Sequence, residues 1–204
     1  MRQFVKSVVP AEGYEEVKKV GSKYVVHLEG VPSGEADGTT ACWETMTDGE
    51  PDMAALTEEL QAWKAHVAEL ELTSAVSSKQ REILSYDSSP SVNSFEIRRN
   101  GEKMMDYWIG RDLRTSLEGD VLAASAIGDT YKFDIRELGI TLELNCTKFL
   151  AALTHLRQYA YQAFNVTSLH LANVGQLTTV EAVQGYDFTT GYPAKLVFNL
   201  EELT

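Results

Sequence analysis

MAALTEELQAWKAHVAEL, residues Met53 to Leu70, places apolar side chains at Met53, Leu56, Leu60, Trp63, Val67 and Leu70, a three-then-four spacing held for about two and a half heptads. Mostly acidic or small residues stand between them (Glu58, Glu59, Ala62, Ala65, Glu69), so one narrow stripe can be buried while the rest of the helix stays solvated. Pro51 and Asp52 precede the stripe and open a helix expected to run to Leu72, with carboxylates near its positive N-terminal end. A helix of this length does not hold itself in water, so something must cover the stripe. Full burial of its apolar side chains is worth on the order of 10 kcal/mol of gross transfer energy. The cover is the chain's own N-terminal sheet, the segment Ser78 to Tyr86, or another copy of the chain. The narrow width favours another helix, because helices lying on sheets present a wider apolar face. These six positions are the candidate protein interface.

Upstream, Gln3 to Val9, Tyr24 to Leu28 and Thr40 to Met46 read as strands bounded by turn residues. Lys23, Val25 and His27 alternate with Tyr24, Val26 and Leu28, as a half-buried strand requires. Gly30 to Gly38, with Pro32, Ser33, Gly34 and Asp37, is expected to be a surface loop. Downstream, the seam ends at Ser74 and Ser77, and a second helical stretch, Ser78 to Tyr86, stops at Ser88-Ser89-Pro90. Asp87 to Ser91 is the expected linker.

The second half is denser. Ser94 to Ile97 and Met104 to Trp108 flank Asn100-Gly101, the strongest short hairpin signal because both positions tolerate positive φ. Arg111 to Ala126 reads as a helix ended by Gly128, and Tyr131 to Ile135 with Ile140 to Leu144 as a strand pair about Gly139. Asn145 caps a long helix whose stripe is Phe149, Leu150, Leu153, Leu156, Ala160 and Phe164. A short helix near Thr178 to Val183, a turn-rich Gly185 to Pro193 and a strand at Lys195 to Leu200 follow. The expected architecture is α+β: a β-rich region 1–50, an amphipathic helical connector 51–86, and a C-terminal domain 90–204 of antiparallel hairpins on a long helix.

A formal charge of −12 opposes binding to nucleic acid or anionic lipid, and between residues 35 and 71 a single lysine, Lys64, stands among ten carboxylates. The basic group Arg98, Arg99, Lys103, Arg111 and Arg114 is interleaved with Glu96, Glu102, Asp106 and Asp112, a mixed surface. With 44% apolar and 24% charged residues the composition is that of an ordinary globular protein, without the apolar run that would span a membrane. Met1 to Pro10 lacks a cleavage pattern, so the chain is expected to be made and kept in a cytoplasm. Cys42 and Cys146 read as free buried thiols.

No phosphate-binding lysine loop, dinucleotide fingerprint, nucleophile elbow or zinc-protease motif is present. His155, Tyr159 and His170 share a helical face that could supply a base or a metal ligand, though a packing role fits them better. Asp129, Asp134 and Glu137 lack calcium-loop spacing and read as a solvated strand edge. No catalytic residue, metal ligand or cofactor is therefore assigned. Tyr186, Phe188 and Tyr192, among Asp187, Thr189, Thr190 and Gly191, form a candidate ligand site of the kind that stacks a sugar or peptide. The alternative is a structured turn whose rings plug the domain.

The run Ile83-Leu84, Tyr86 to Ser89, Val92 to Phe95, Trp108, Arg111 to Arg114, Leu153 to Tyr161, Phe164 to Thr167, His170 and Tyr186 to Pro193 resembles a domain of unknown function common in bacteriophages and prophages, especially of gut Bacteroidales. The likeness covers residues 80 to 200. Such domains occur in short proteins encoded near tail-fibre genes, some described as tail-fibre assembly proteins. The resemblance implies a non-enzymatic virion-associated structural or assembly protein, an adaptor or fibre-assembly factor of the tail or fibre region. It implies other phage structural proteins and further copies of the chain as partners, and a place in the virion or, during assembly, in the host bacterial cytoplasm. A receptor- or glycan-binding module of the particle is the alternative. The family brings no catalytic residues to carry over.

Overall fold

A computed structural model describes residues 2–10, 14–32 and 39–204. The chain divides into two compact units, Met1–Thr73 and Ser74–Thr204, with the division inside one helix, and each unit mixes helix and sheet as the α+β reading expects.

In the first unit, β1 (Val5–Pro10), β2 (Val17–Val20), β3 (Lys23–Pro32) and β4 (Thr39–Thr47) form an antiparallel sheet in the order β1-β4-β3-β2. The period-2 pattern in β3 works as expected: Tyr24, Val26 and Leu28 face the core with Phe4 and Trp43. On the opposite face, His27 is buried beneath the chain at 14–16. Its Nδ1 donates to the Glu15 carbonyl at 2.7 Å, its Nε2 lies 3.4 Å from Glu44 Oε2, and Tyr14 lies against its ring.

The strand β2 is an addition to the sequence reading. Val17-Lys18-Lys19-Val20 is too short and polar to show alternation, and it is held by pairing to β3 across the turn Gly21-Ser22, with Gly21 at φ 65°. The expected loop at 30–38 begins later than its composition implies. Gly30 to Pro32 continue β3 past a bulge between Leu28 and Val31, and residues 33–38 lie outside the described residues. The bulge holds Glu29 at φ 53°, and a side chain on Gly30 would collide with the Tyr14 hydroxyl.

The helix α1 runs Met53–Asp87, so the two expected helical stretches are a single element. Asp52 Oδ1 caps its start, accepting from the amides of Ala54 at 3.0 Å and Ala55 at 3.1 Å. The Asp87 to Ser91 segment, expected as a linker, is folded into the second unit. The amides of Ser88, Ser89 and Val92 bond back along the chain, Val92 is fully buried, and its carbonyl accepts from Tyr159 Oη at 2.7 Å. Turn composition does not distinguish a free linker from a turn bonded on all sides.

The rest of the second unit follows the sequence closely. The strands β5 (Phe95–Arg99) and β6 (Glu102–Tyr107) meet at Asn100 and Gly101, both with positive φ, and α2 (Arg111–Ser125) follows. The hairpin β7 (Thr130–Ile135) and β8 (Ile140–Asn145) leads into α3 (Cys146–Gly175), where Asn145 caps by accepting from the Lys148 amide at 3.1 Å. Thr179 caps the short α4 (Val180–Gln184).

The expected strand at Lys195 to Leu200 shrinks to β9 (Val197–Asn199), which pairs parallel to β5 and gives way at Leu200 to α5 (Leu200–Leu203). The all-antiparallel expectation fails there because the long intervening chain supplies the crossover that parallel pairing needs. The core joins Phe95, Ile97, Val121, Ile135, Leu144, Phe149, Leu153 and Leu156. A void of about 40 Å³ lies within it, lined by apolar side chains. Arg114 is buried in the first turns of α2, stacked 5.2 Å from Trp108 and donating to the Ile109 carbonyl at 2.7 Å, which fastens the β6–α2 connection.

Candidate functional site

The six seam residues do not share one environment. Leu56 and Leu60 are buried against Phe4, Val26 and Leu28, and Met53 and Trp63 pack at the margin of the same cluster. For these four the cover is the chain's own sheet, which offers a flat apolar face of matching width. The preference for another helix is overturned for them.

Polar contacts fix this placement. Arg2 pairs with Glu59 at 2.8 Å and donates to the Met46 carbonyl at 2.9 Å. The Glu29 carboxylate, set out by the bulge, accepts from Gln61 at 2.7 Å and pairs with Lys64. Lys6 and Lys64 each lie over the Trp43 ring, at 5.3 and 5.5 Å. Beyond Lys64 the seam loses its seat: Val67 is half-buried and Leu70 is 55% exposed. In the first unit no α1 residue from 65 to 73 is buried.

The outward side of α3 adds to the uncovered apolar surface. The expected stripe holds for Phe149, Leu153 and Leu156, but Phe164 stands 63% exposed, with Tyr161 and Leu169 also exposed. The buried row continues instead through Tyr159, Ala163, Thr167, His170 and Val174. Reading only apolar residues hides this continuation, because two of its members are polar; the three-and-four spacing from Leu156 onward is the signal that finds it.

Those polar members hold the aromatic loop. Thr190's carbonyl can only accept, so His170 Nε2 carries the hydrogen at 3.0 Å, and Nδ1 accepts from Tyr186 Oη at 2.8 Å. Asn173 Nδ2 donates to the same Tyr186 oxygen at 3.2 Å. One layer away, Thr167 Oγ1 donates to Asp87 Oδ1 at 2.7 Å, which leaves Tyr192 Oη to donate to Thr167 Oγ1 at 2.9 Å. Burial, above other influences, pushes the Tyr192 phenol above its ordinary pKa and keeps it a donor.

Tyr86 meets Phe188 and Tyr192 edge-on, with ring centroids 5.7 and 5.5 Å apart. Gly191, at φ 81°, supplies the turn. The loop is thus a clasp of α1 and α3: the hydroxyls of Tyr186 and Tyr192 are bonded inside the unit, and of the three expected ligand residues Phe188 alone also lines an open groove.

Both His170 nitrogens are engaged, and His155, about four turns earlier on α3, is exposed. Asp129, Asp134 and Glu137 are exposed, with Asp134 accepting from Thr141 Oγ1 at 2.6 Å. Cys42 and Cys146 are buried and unpaired, as expected. Among the described residues no group of three or more His, Cys, Asp or Glu could hold a metal ion, and no helix is long and apolar enough to cross a membrane. Comparison with protein-family models, with curated proteins and with solved structures finds no match to this chain.

Proposed function

We propose that this is a non-enzymatic bacteriophage virion-associated protein, an adaptor or fibre-assembly factor of the tail or fibre region that works by protein–protein association. Its partners are other phage structural proteins and further copies of itself. It acts in the particle or, during assembly, in the host bacterial cytoplasm.

The observation that supports the reading is the stretch from 65 to 73 of α1, within the first unit, where no side chain is buried although the helix is unbroken. Helices in proteins are stabilised mainly by packing one face, and here the apolar seam runs on past its seat with Val67 half-buried and Leu70 exposed. Val67 and Leu70 are the part of the seam left for association; Met53, Leu56, Leu60 and Trp63 support it by fastening the helix to the first sheet. Tyr161, Phe164 and Leu169 are further exposed apolar side chains on the outward side of α3.

Mass spectrometry of purified particles, with cross-linking of infected-cell lysates, tests the assignment. A retained adaptor is found in the particle, and an assembly factor is cross-linked to fibre proteins in lysates and lost from finished particles. Absence from particles together with no cross-link to any particle protein refutes the proposal.

A further inference from the structure

An open groove of about 630 Å³ runs along the C-terminal part of α1 in the second unit, and none of the six seam residues lines it. Its helical wall is set by spacing: Ser78, Arg81 and Ser85 recur at three- and four-residue intervals and so share one face, and all three are exposed. Its apolar side is the pair Tyr86 and Phe188, both half-buried and crossed at 70°, so each ring is partly open after packing on the other. Ser91 also lines the groove.

The hydroxyls of Ser78, Ser85 and Ser91 face solvent and bond to no protein group among the described residues, as is also true of Ser74 and Ser77 on the same helix. Arg81 likewise has no ion pair among the described residues. Its neighbour Lys79 is fully engaged: it pairs with Glu82 at 3.0 Å, donates to the Gln184 carbonyl at 3.1 Å and lies 5.5 Å from the Phe188 ring centre. The lysine therefore fixes the ring and one Glu82 oxygen in place, and leaves the hydroxyls and the guanidinium as the groups that face solvent.

We propose that this groove binds a neutral saccharide, one sugar ring lying against Phe188 and Tyr86 while its hydroxyls bond to Ser78, Arg81 and Ser85. A pyranose presents a C–H face that an aromatic ring covers and an equatorial rim of hydroxyls that need donors and acceptors together, and the groove supplies both. Other ligand chemistries fit less well. An anion would meet one free cation beside Glu82 on a chain of net charge −12. An extended peptide bound by strand addition needs a sheet edge, and this wall is a helix.

The test uses the full chain, labelled with nitrogen-15 and titrated with maltose, lactose, chitobiose and glucuronate at millimolar concentration, alongside a printed array of neutral glycans. The expected result is saturable shifts of the amides of Arg81, Ser85, Tyr86 and Phe188 with at least one neutral sugar, insensitive to salt. Ser85→Trp, a substitution at an exposed helix position that fills the groove, should weaken binding at least tenfold with an unchanged circular dichroism spectrum. Phe188→Ala should do the same, and Ser85→Trp covers the case in which that variant loosens the loop. Flat titrations with no array binding overturn the proposal. So do shifts confined to glucuronate that vanish with salt, which would make the groove an anion site, and sugar binding that survives Ser85→Trp.

Discussion

Leu60→Ala separates the two halves of the α1 seam. Leu60 is fully buried against Phe4, Val26, Leu28 and Leu56, so truncation removes its transfer energy and leaves a cavity under a helix that the sheet cannot follow inward. Such substitutions cost about 2–5 kcal/mol. A unit of this size, Met1–Thr73, has a total stability of roughly 4–11 kcal/mol at the usual value per residue. The loss is thus a large fraction of what holds the unit folded.

The assay is urea denaturation followed by tryptophan fluorescence in a Trp108→Phe background, because the two remaining tryptophans, Trp43 and Trp63, both pack on the Leu60 cluster. With a slope of about 1–2 kcal/mol per molar urea, the midpoint should fall by roughly 1–5 M. Leu70→Ala, at a position 55% exposed, should change the unit's stability by less than about 0.5 kcal/mol. A Leu60→Ala midpoint within experimental error of the parent, or a Leu70→Ala loss as large as that of Leu60→Ala, would refute the division of the seam.

Three further outcomes follow from the second unit. Thr167→Val leaves Asp87 and the Tyr192 hydroxyl without their partner and should cost about 1–3 kcal/mol, with faster hydrogen exchange of the 185–193 amides as the local readout. Gly101→Ala places a side chain at φ 80° and should cost about 1–2 kcal/mol in thermal or urea unfolding, whereas Gly110→Ala, at negative φ with open space about it, should not. Hydrogen bonds from Lys195 and then Lys103 hold the Asp106 carboxyl below its ordinary pKa. Its contribution to stability is therefore present above the unfolded value of 3.8 and is lost as pH falls through the lower folded value; a carbon-13 titration should show the Asp106 pKa rising in Lys195→Met.

What was legible in the sequence is what local chemistry decides. Asn100-Gly101 specified its hairpin because few residue pairs accept two positive φ angles, Asn145 announced the start of α3, and Tyr24, Val26 and Leu28 announced a core face. What was hidden depends on partners distant in the chain. Val17 to Val20 becomes a strand by pairing with β3, and Val197 to Asn199 is recruited parallel to β5 across a long interval. Asp87 looked like a linker residue until Thr167 was placed beside it.

The candidate sites show the same limit. A three-four apolar pattern names a face to be buried without naming its partner, and here a sheet took the first four positions. The aromatic cluster at 186–192 was visible as composition, but the direction of its rings is set by Thr167 and His170, polar residues on the buried row of α3.

The central claim is that the chain functions through the helical surface it leaves uncovered. Sedimentation velocity of the intact chain between about 1 and 100 µM, compared with Leu70→Asp, tests it most directly, since Leu70 is exposed and its substitution leaves the Leu60 cluster untouched. The account predicts an assembly heavier than the 22.6 kDa chain that dissociates in Leu70→Asp while circular dichroism is unchanged. A 22.6 kDa monomer at every concentration, or an assembly indifferent to Leu70→Asp, would contradict it.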